Sequence, residues 1–445
     1  KVDDEDIIDN ESILDLAMGR FRPTRDLRWH YRSRHESLIA YSNAQFYDNR
    51  LIVFPSPEEK SENFGVRYSY VKGIYKSSCN ILEAEAIVSA AKKFMKQFPE
   101  KSLGIVTVNS SQRDLIDEEI NMLFQNDNAA NKYRDKWLEE RGGLESFFVK
   151  NLESVQGDER DAIFVSTVYG PDKNGSVMQR FGPINGKFGH RRLNVLFTRA
   201  KHNLNIFTSL RPDNIQTSEN SALGLKAFKG FLEFAHSGRL ESGVETGREP
   251  DSDFEISVIE KLEALGCEVI PQVGVAGFFI DLGVKHPKYP YGFMLGIECD
   301  GATYHSSKSA RDRDRTRQET LEGLGWEIYR IWSTDWFHNP DREFKKLKRH
   351  IEKTLENLNL EKEKRINAQN QENFEIVNKA QNLLNQGHVT SNKKPKRLTK
   401  KKKLAIVELH DTITYEEIKD AQTVTKKAKL INTSGEFSEN EIRQG

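Results

Sequence analysis

Between residues 81 and 209 the apolar positions of the chain alternate between two periods. In ILEAEAIVSAAKKFMKQF (81–98) and SSQRDLIDEEINML (110–123) they recur three and four residues apart, which predicts helices with one buried face, the second opening on a Ser cap. SLGIVTV (102–108), DAIFVSTV (161–168) and NLNIFTS (203–209) are apolar runs of strand length, and RRLNVLFTRA (191–200) reads as helix again. Alternation of this kind predicts an α/β fold, a parallel sheet covered by helices. The polar segment 125–146 interrupts the order and predicts a surface insertion. HSGRLESGVETGREPDS (236–252) is rich in Gly, Ser and Glu and predicts a linker.

A second pattern follows. DFEISVIEKLEALG predicts a helix stopped by Gly266, then come strands near CEVIPQV, GFFIDLGV and FMLGIECD, a helix within SARDRDRTRQETLEGLG and a strand in WEIYRIW, in the order αβββαβ. From about 341 the charge density rises, predicting an exposed helix and, beyond 391, disorder. The organisation expected is a first domain over 1–235, a linker over 236–252, a second domain over 253–345 and a charged tail over 346–445.

Composition narrows the class. With 445 residues, 37% hydrophobic and 30% charged, the chain is long enough for two or three cores. No run approaches the roughly 18 apolar residues of a membrane span, and the acidic start KVDDEDIIDN does not suit a targeting peptide, so a cytoplasmic protein is expected, with no membrane partner. Cys79, Cys267 and Cys299 are too scattered for a disulfide framework or a zinc site and are expected to be buried thiols. Net charge is zero, so a basic surface for nucleic acid must be local. KKPKRLTKKKK (393–403) is one such surface, though a solvated tail accounts for it more simply.

Candidate chemistry sits in GIECDGATYHSSKSARDRDRTRQ (296–318). Side chains alternate along a strand, so Glu298 and Asp300 share a face, and Asp281 ends an apolar run in the strand before. Acids meeting across paired strands repel unless a positive charge lies between them. Mg²⁺ (or Mn²⁺) would supply it, because a hard cation takes one or two carboxylates and completes its shell with water or phosphate oxygens. Such a site activates water against a phosphodiester, and Arg311, Arg313, Arg315 and Arg317 follow where phosphates would need positioning. His305 reads equally as a proton shuttle, a phosphate contact or a structural residue.

FFIDLGV, GIECDGATYH, RDRDRTRQ and GWEIYRIWSTDW together resemble the very-short-patch-repair-like branch of the PD-(D/E)XK nucleases, over about residues 251–340. The resemblance implies a restriction-endonuclease-like domain with Asp281 and Glu298 as metal ligands and His305 in the site. The lysine it would place two residues after Glu298 is Asp300 here, and Lys308, Arg315 or Gln318 are candidates to replace it. Glu255 reads either as an added acid or, more simply, as a surface residue.

LRWHYRSRHESLIAYSNAQFYDNRLIVFP (27–55), GIVTVNSSQRDLI (104–116), VKNLESVQGDERDAIFVST (149–167) and RRLNVLFTRAKHNLNIF (191–207) resemble, in that order, motifs of superfamily 1 helicases, closest to the branch of the RNA-decay enzymes. The resemblance implies the second RecA-like lobe of an ATP-dependent motor. Arg32 and Arg199 would reach the γ-phosphate, Glu159 the ribose, and Gln156 would couple nucleotide state to the strand. Gln112, Gly157 and Arg192 are further candidates around the nucleotide. No stretch fits G-x-x-x-x-G-K-[ST], so ATP use is expected to need a first lobe, supplied by a longer chain or by a partner protein. The reading that results is a helicase or translocase lobe joined to a metal-dependent nuclease acting on nucleic acid, DNA by preference, in defence or repair. A nucleic-acid-binding ATPase with an inactive nuclease-like clamp and an RNA helicase-nuclease are the alternatives.

Overall fold

The computed structural model describes residues 13–23, 25–61, 63–238, 249–275, 278–301 and 308–360. Its strands are β1 (Trp29–His30), β2 (Ile52–Val53), β3 (Gly65–Tyr70), β4 (Leu103–Thr107), β5 (Phe148–Asn151), β6 (Arg160–Ser166), β7 (Ala200–Thr208), β8 (Glu268–Val275), β9 (Phe278–Lys285), β10 (Leu295–Asp300) and β11 (Ile328–Trp332). Its helices are α1 (Ile13–Arg20), α2 (Ser37–Phe46), α3 (Ile81–Gln97), α4 (Ser110–Asn126), α5 (Asn128–Glu139), α6 (Gly189–Phe197), α7 (Leu223–Ser237), α8 (Asp253–Glu263), α9 (Lys308–Leu324) and α10 (Ser333–His338). Residues 340–360 are also helical.

β3, β7, β6, β4 and β5 form, in that order, an entirely parallel sheet. β4 is buried throughout and β6 and β7 over most of their length, which is why they read as apolar runs rather than alternating ones. One apolar cluster joins the sheet to α2, α6 and α7, with Phe197 and Phe231 stacked at 3.6 Å between ring centres; another joins it to α3, α4 and α5. Asn80 caps α3, accepting from Glu83 N. α4 is capped by Asn109, accepting from Gln112 N at 2.9 Å, and not by the Ser that follows it. Segment 125–146, expected on the surface, contains α5, which buries Ala130, Tyr133 and Trp137 in the second of these clusters. Its few apolar residues fall on one face, enough to dock a helix whose average character is polar.

Residues 253–332 run helix, three strands, helix, strand, but their sheet has six strands, in the order β1-β2-β8-β9-β10-β11. The two extra strands come from the segment around residues 29–53, far earlier in the chain than the second domain's expected start. Val53 pairs antiparallel with Val275, so β8 is not left as a bare edge. The junction is apolar and bonded: the Phe54 and Phe278 rings lie 4.4 Å apart, Trp326 Nε1 donates to the Pro55 carbonyl at 2.9 Å, and Arg34 donates to the Gly323 carbonyl. A further apolar cluster packs α8 and helix 340–360 on β9, β10 and β11. Residues 239–248 of the expected linker and the tail beyond 360 lie outside the described residues. Among the described residues no helix is long and apolar enough to cross a membrane.

Candidate functional site

The acids gather where β9 and β10 part. Their antiparallel ladder ends at Ile297↔Leu282. One residue beyond, Asp281 turns onto the neighbouring strand and its Oδ2 accepts from the Cys299 amide at 2.7 Å. Burial raises the Asp281 carboxyl to about 6, and the charges of Glu255 and Glu298 push the same way, against the Cys299 amide and Arg317. Glu298 is only 7% exposed.

Glu255 does not lie on the surface. Ser252 caps α8: Glu255 N donates to Ser252 Oγ at 3.3 Å, and Ser252 Oγ donates to Glu255 Oε1 at 3.1 Å. Gln272 Nε2 donates to its other oxygen at 3.1 Å.

Two arginines supply the positive charge. β10 and β11 are parallel with Glu298 opposite Arg330, and the Arg330 guanidinium spans both acids of β10: Nη2 donates to Glu298 Oε2 at 2.9 Å and Nε lies 3.0 Å from Asp300 Oδ2. Arg317, reaching in from α9, has Nε 3.2 Å from Glu298 Oε1, donates to the Phe279 carbonyl at 2.6 Å and lies over the Phe278 ring. The Arg317 contact lacks hydrogen-bond alignment, which leaves Glu298 Oε1, a buried atom, with no hydrogen-bond partner among the described residues.

The expected trio of metal ligands is not formed. Among the described residues no three His, Cys, Asp or Glu side chains are arranged to hold a metal ion, and Asp300 is engaged by Arg330. Asp281 and Glu298 are hard oxygen donors of the kind a divalent cation takes, and Glu298 meets an arginine at each oxygen, Arg317 at 3.2 Å and Arg330 at 2.9 Å. Of the candidates to replace the lysine, Arg315 is exposed and Gln318 half-buried, and they turn to Glu319 and Glu322 one helical turn on, each at 2.8 Å. The side chains of Lys308 and Arg311, like the whole of His305, lie outside the described residues. The basic residues actually present, Arg317 and Arg330, were missed as a pair. An arginine inside the apolar strand IYRIW was the available signal, but nothing in the sequence gave the register that sets it opposite Glu298.

In the first region the motif residues converge from three connections. Arg32 follows β1, Glu159 lies between β5 and β6, and Arg199 lies between α6 and β7. Arg32 Nε pairs with Glu159 Oε2 at 2.7 Å, and Lys201 Nζ lies 3.4 Å from the other oxygen. Burial opposes ionisation of Glu159, yet Arg32 and Lys201 hold it below the usual carboxylate range. Arg199 donates to the Val195 carbonyl at 2.9 Å, and burial and then the nearness of Arg32 lower its pKa. Two guanidinium groups that disfavour each other's charge leave room for an anion. Beside them lies a polar cleft of about 500 Å³ lined by Tyr31, Arg34, Trp137 and His202 among others. Tyr31, exposed next to Arg32, was a candidate the motif reading passed over.

Gln156 is exposed, and Gly157 takes a φ of +91°, a turn suited to glycine, just before Glu159. Arg192 pairs with Glu153 at 3.1 Å. Gln112 is not available to a ligand. It is fully buried, its amide oxygen accepts from Asn80 N at 2.9 Å, and its Nε2 donates to the Asn80 carbonyl and Ser166 Oγ.

Comparisons with known proteins divide the chain in the same two places. A family model described as an AAA domain matches residues 10–211, and one described as REase_MTES_1575 matches residues 254–351. An uncharacterized ATP-dependent helicase of Mycoplasma pneumoniae, the MG140 homolog, is 28% identical over 372 residues, covering 80% of this chain and 32% of its own. The uncharacterized ATP-dependent helicase MG140 of Mycoplasma genitalium is 29% identical over 350 residues, covering 76% of this chain and 30% of its own. The chain thus spans about a third of the length of these relatives. It combines a helicase-like AAA domain with a restriction-endonuclease-like domain, a combination that indicates an enzyme.

Proposed function

We propose that the first region is the second RecA-like lobe of a superfamily 1 helicase or translocase, and that residues 253–345 are a divalent-metal-dependent nuclease of the very-short-patch-repair-like type. Together they would hydrolyse phosphodiester bonds in DNA, in a protein of defence or repair. The observation that supports the nuclease reading is the pair of acids on adjacent strands, half-buried Asp281 and buried Glu298, with the Asp281 carboxyl raised to about 6 by burial and by the neighbouring acids. Asp281 and Glu298 would hold the ion. When bound, Mg²⁺ supplies an activated water and offsets charge on the phosphate. Arg317, held by the Phe279 carbonyl, would meet a phosphate oxygen if the strand enters beside Glu298.

In the lobe, Arg32 and Arg199 would meet the transferring phosphoryl group, where a guanidinium stabilises charge spread over equatorial oxygens. Glu159, pinned by Arg32 and Lys201, would accept from a sugar hydroxyl. ATP turnover then depends on a phosphate-binding loop from a first lobe.

The test is cleavage of labelled single- and double-stranded DNA and RNA in Mg²⁺ and in chelator. Asp281→Asn and Glu298→Gln are each expected to lower cutting by about 10³-fold, roughly 4 kcal/mol of transition-state stabilisation, while leaving the circular dichroism spectrum unchanged. Full cutting by either variant, or in chelator, would sink the nuclease reading. A second reading, an inactive nuclease-like clamp, is favoured by the Asp300 that stands where a lysine is expected, and DNA binding with no cutting by the unaltered chain would establish it.

A further inference from the structure

We propose that the helix over residues 340–360 is a docking surface for the phosphate backbone of duplex DNA, carried by Lys345, Lys348, Arg349 and Lys353. The proposal rests on the reading that the chain acts on DNA, and not on any metal.

The helix has two unlike sides. Leu347 and Ile351 are buried, and Phe344, Leu355 and Leu358 pack beside them against the endonuclease-like core. Lys345, Lys348, Arg349 and Lys353 succeed one another at three- and four-residue steps, which sets them in one exposed stripe on the other side. Among the described residues none of the four has an ion-pair or hydrogen-bond partner, whereas Lys346 and Arg342 beside them lie 2.7 and 3.8 Å from Glu343. Like charges at this spacing repel along a helix, and a polyanion is the partner that offsets them. Because the chain has zero net charge, the stripe is a local excess rather than one part of a generally basic surface. From Lys345 to Lys353 the helix rises about 12 Å, the axial length of about three to four base pairs. A duplex suits it better than a single strand, which is held by bases stacked on aromatic rings. The stripe offers no ring: Phe344 lies under Lys261, and His350 faces Tyr329 at 4.7 Å between ring centres. The helix also has a direction. It follows α10, which begins where β11 ends, and by His350 it has come back to Glu327, just ahead of β11, at 3.4 Å. Lys345 is therefore the end of the stripe nearer Asp300, the register partner of Trp332 at the end of β11. A backbone lying along the stripe is led toward the acids of β10.

The measurement is fluorescence anisotropy of labelled duplex DNA with the full chain, in chelator, as salt rises from about 0.05 to 0.2 M. Changing all four residues to Gln should lower the slope of log K against log salt by about 3 to 4 and weaken binding about 10³-fold near 0.1 M. Lys348→Gln alone should lower the slope by about 1. Glu352→Lys, which extends the stripe on its own side and guards against a misfolded quadruple variant, should tighten binding and steepen the slope by about 1. Lys93→Gln, at an exposed lysine of α3, should leave the slope where it was. No duplex binding by the unaltered chain, an unchanged slope in the quadruple variant, looser binding by Glu352→Lys, or a loss as large on single-stranded as on duplex DNA would each overturn the proposal. The nuclease reading fails separately: a chain that binds duplex with this pattern of slopes but cuts nothing in Mg²⁺ keeps the docking surface and loses the nuclease.

Discussion

Glu83 and Glu298 are both buried glutamates, one in each region, and the chain treats them in opposite ways. Glu83, fully buried in the first turn of α3, has no cation in contact among the described residues, and both of its oxygens are hydrogen-bonded. Oε1 accepts from Val168 N at 2.7 Å and Ser166 Oγ at 2.8 Å, and Oε2 accepts from Ser209 Oγ at 3.2 Å and Asn80 Nδ2 at 3.3 Å. Glu298 has two cations and one oxygen without a hydrogen bond. A buried acid whose hydrogen bonds are complete ties elements together, here α3 to the ends of β6 and β7. A buried acid supplied with charge but short of hydrogen bonds is held by ion pairs instead, here Glu298 between α9 and β11.

The comparison breaks most readily at Glu83. Glu83→Ala leaves the Val168 amide buried and unpaired, and is expected to cost about 3 kcal/mol in urea denaturation at pH 6 while short-substrate cutting stays intact. Asp281→Asn should do the reverse, ending cutting but melting no lower than the unaltered chain in metal-free buffer. If Glu83→Ala were neutral, hydrogen-bond satisfaction would be the wrong measure of a structural acid.

A finer test uses pH. Burial lifts the Glu83 carboxyl from the usual 4.5 to about 7, against its four hydrogen bonds. Because the folded value is raised, the stability it contributes is complete below pH 4.5 and is lost as pH rises through about 7. Glu83→Gln is neutral throughout, so relative to the unaltered chain it should gain about 2 kcal/mol between pH 5 and pH 8, read from denaturation midpoints. A constant difference across that range would show Glu83 to be ionised throughout.

The smallest effect is expected at Arg315. It is exposed and pairs one turn away with Glu319, an exposed pair, so Arg315→Ala should change stability by less than about 0.5 kcal/mol. If Arg315 touches phosphate, the salt slope of DNA binding should fall by about 1; an unchanged slope would remove it from the nucleic-acid face.

How much of this was legible beforehand follows from what kind of information each feature needs. The helix and strand alternation of 81–209 could be read because parallel strands buried on both sides are continuous apolar runs, and Gly266, at φ +80°, ends its helix region as a left-handed glycine should. The closeness of Arg32, Glu159 and Arg199 was implied by motif order alone. The Arg330 fork was hidden because a crossover helix leaves the register of the next strand open. Gln112 misled because its sequence motif points outward to a ligand, whereas the Asn80 backbone and Ser166 claim its amide from within. The strands β1 and β2 were invisible at two residues each, too short for any periodicity.

Those two short strands also bear on how such a protein can be inherited. A gene rearrangement joining a new endonuclease-like segment at residue 253 would respect the boundary seen in the sequence yet discard the partner of Val275 and the carbonyl that Trp326 bonds. The seam between the halves runs through space between β2 and β8, at two places in the reading frame more than 200 residues apart. A change at Phe54 therefore bears on the same seam as a change at Phe278 or Trp326, although the two stretches lie at opposite ends of the described chain.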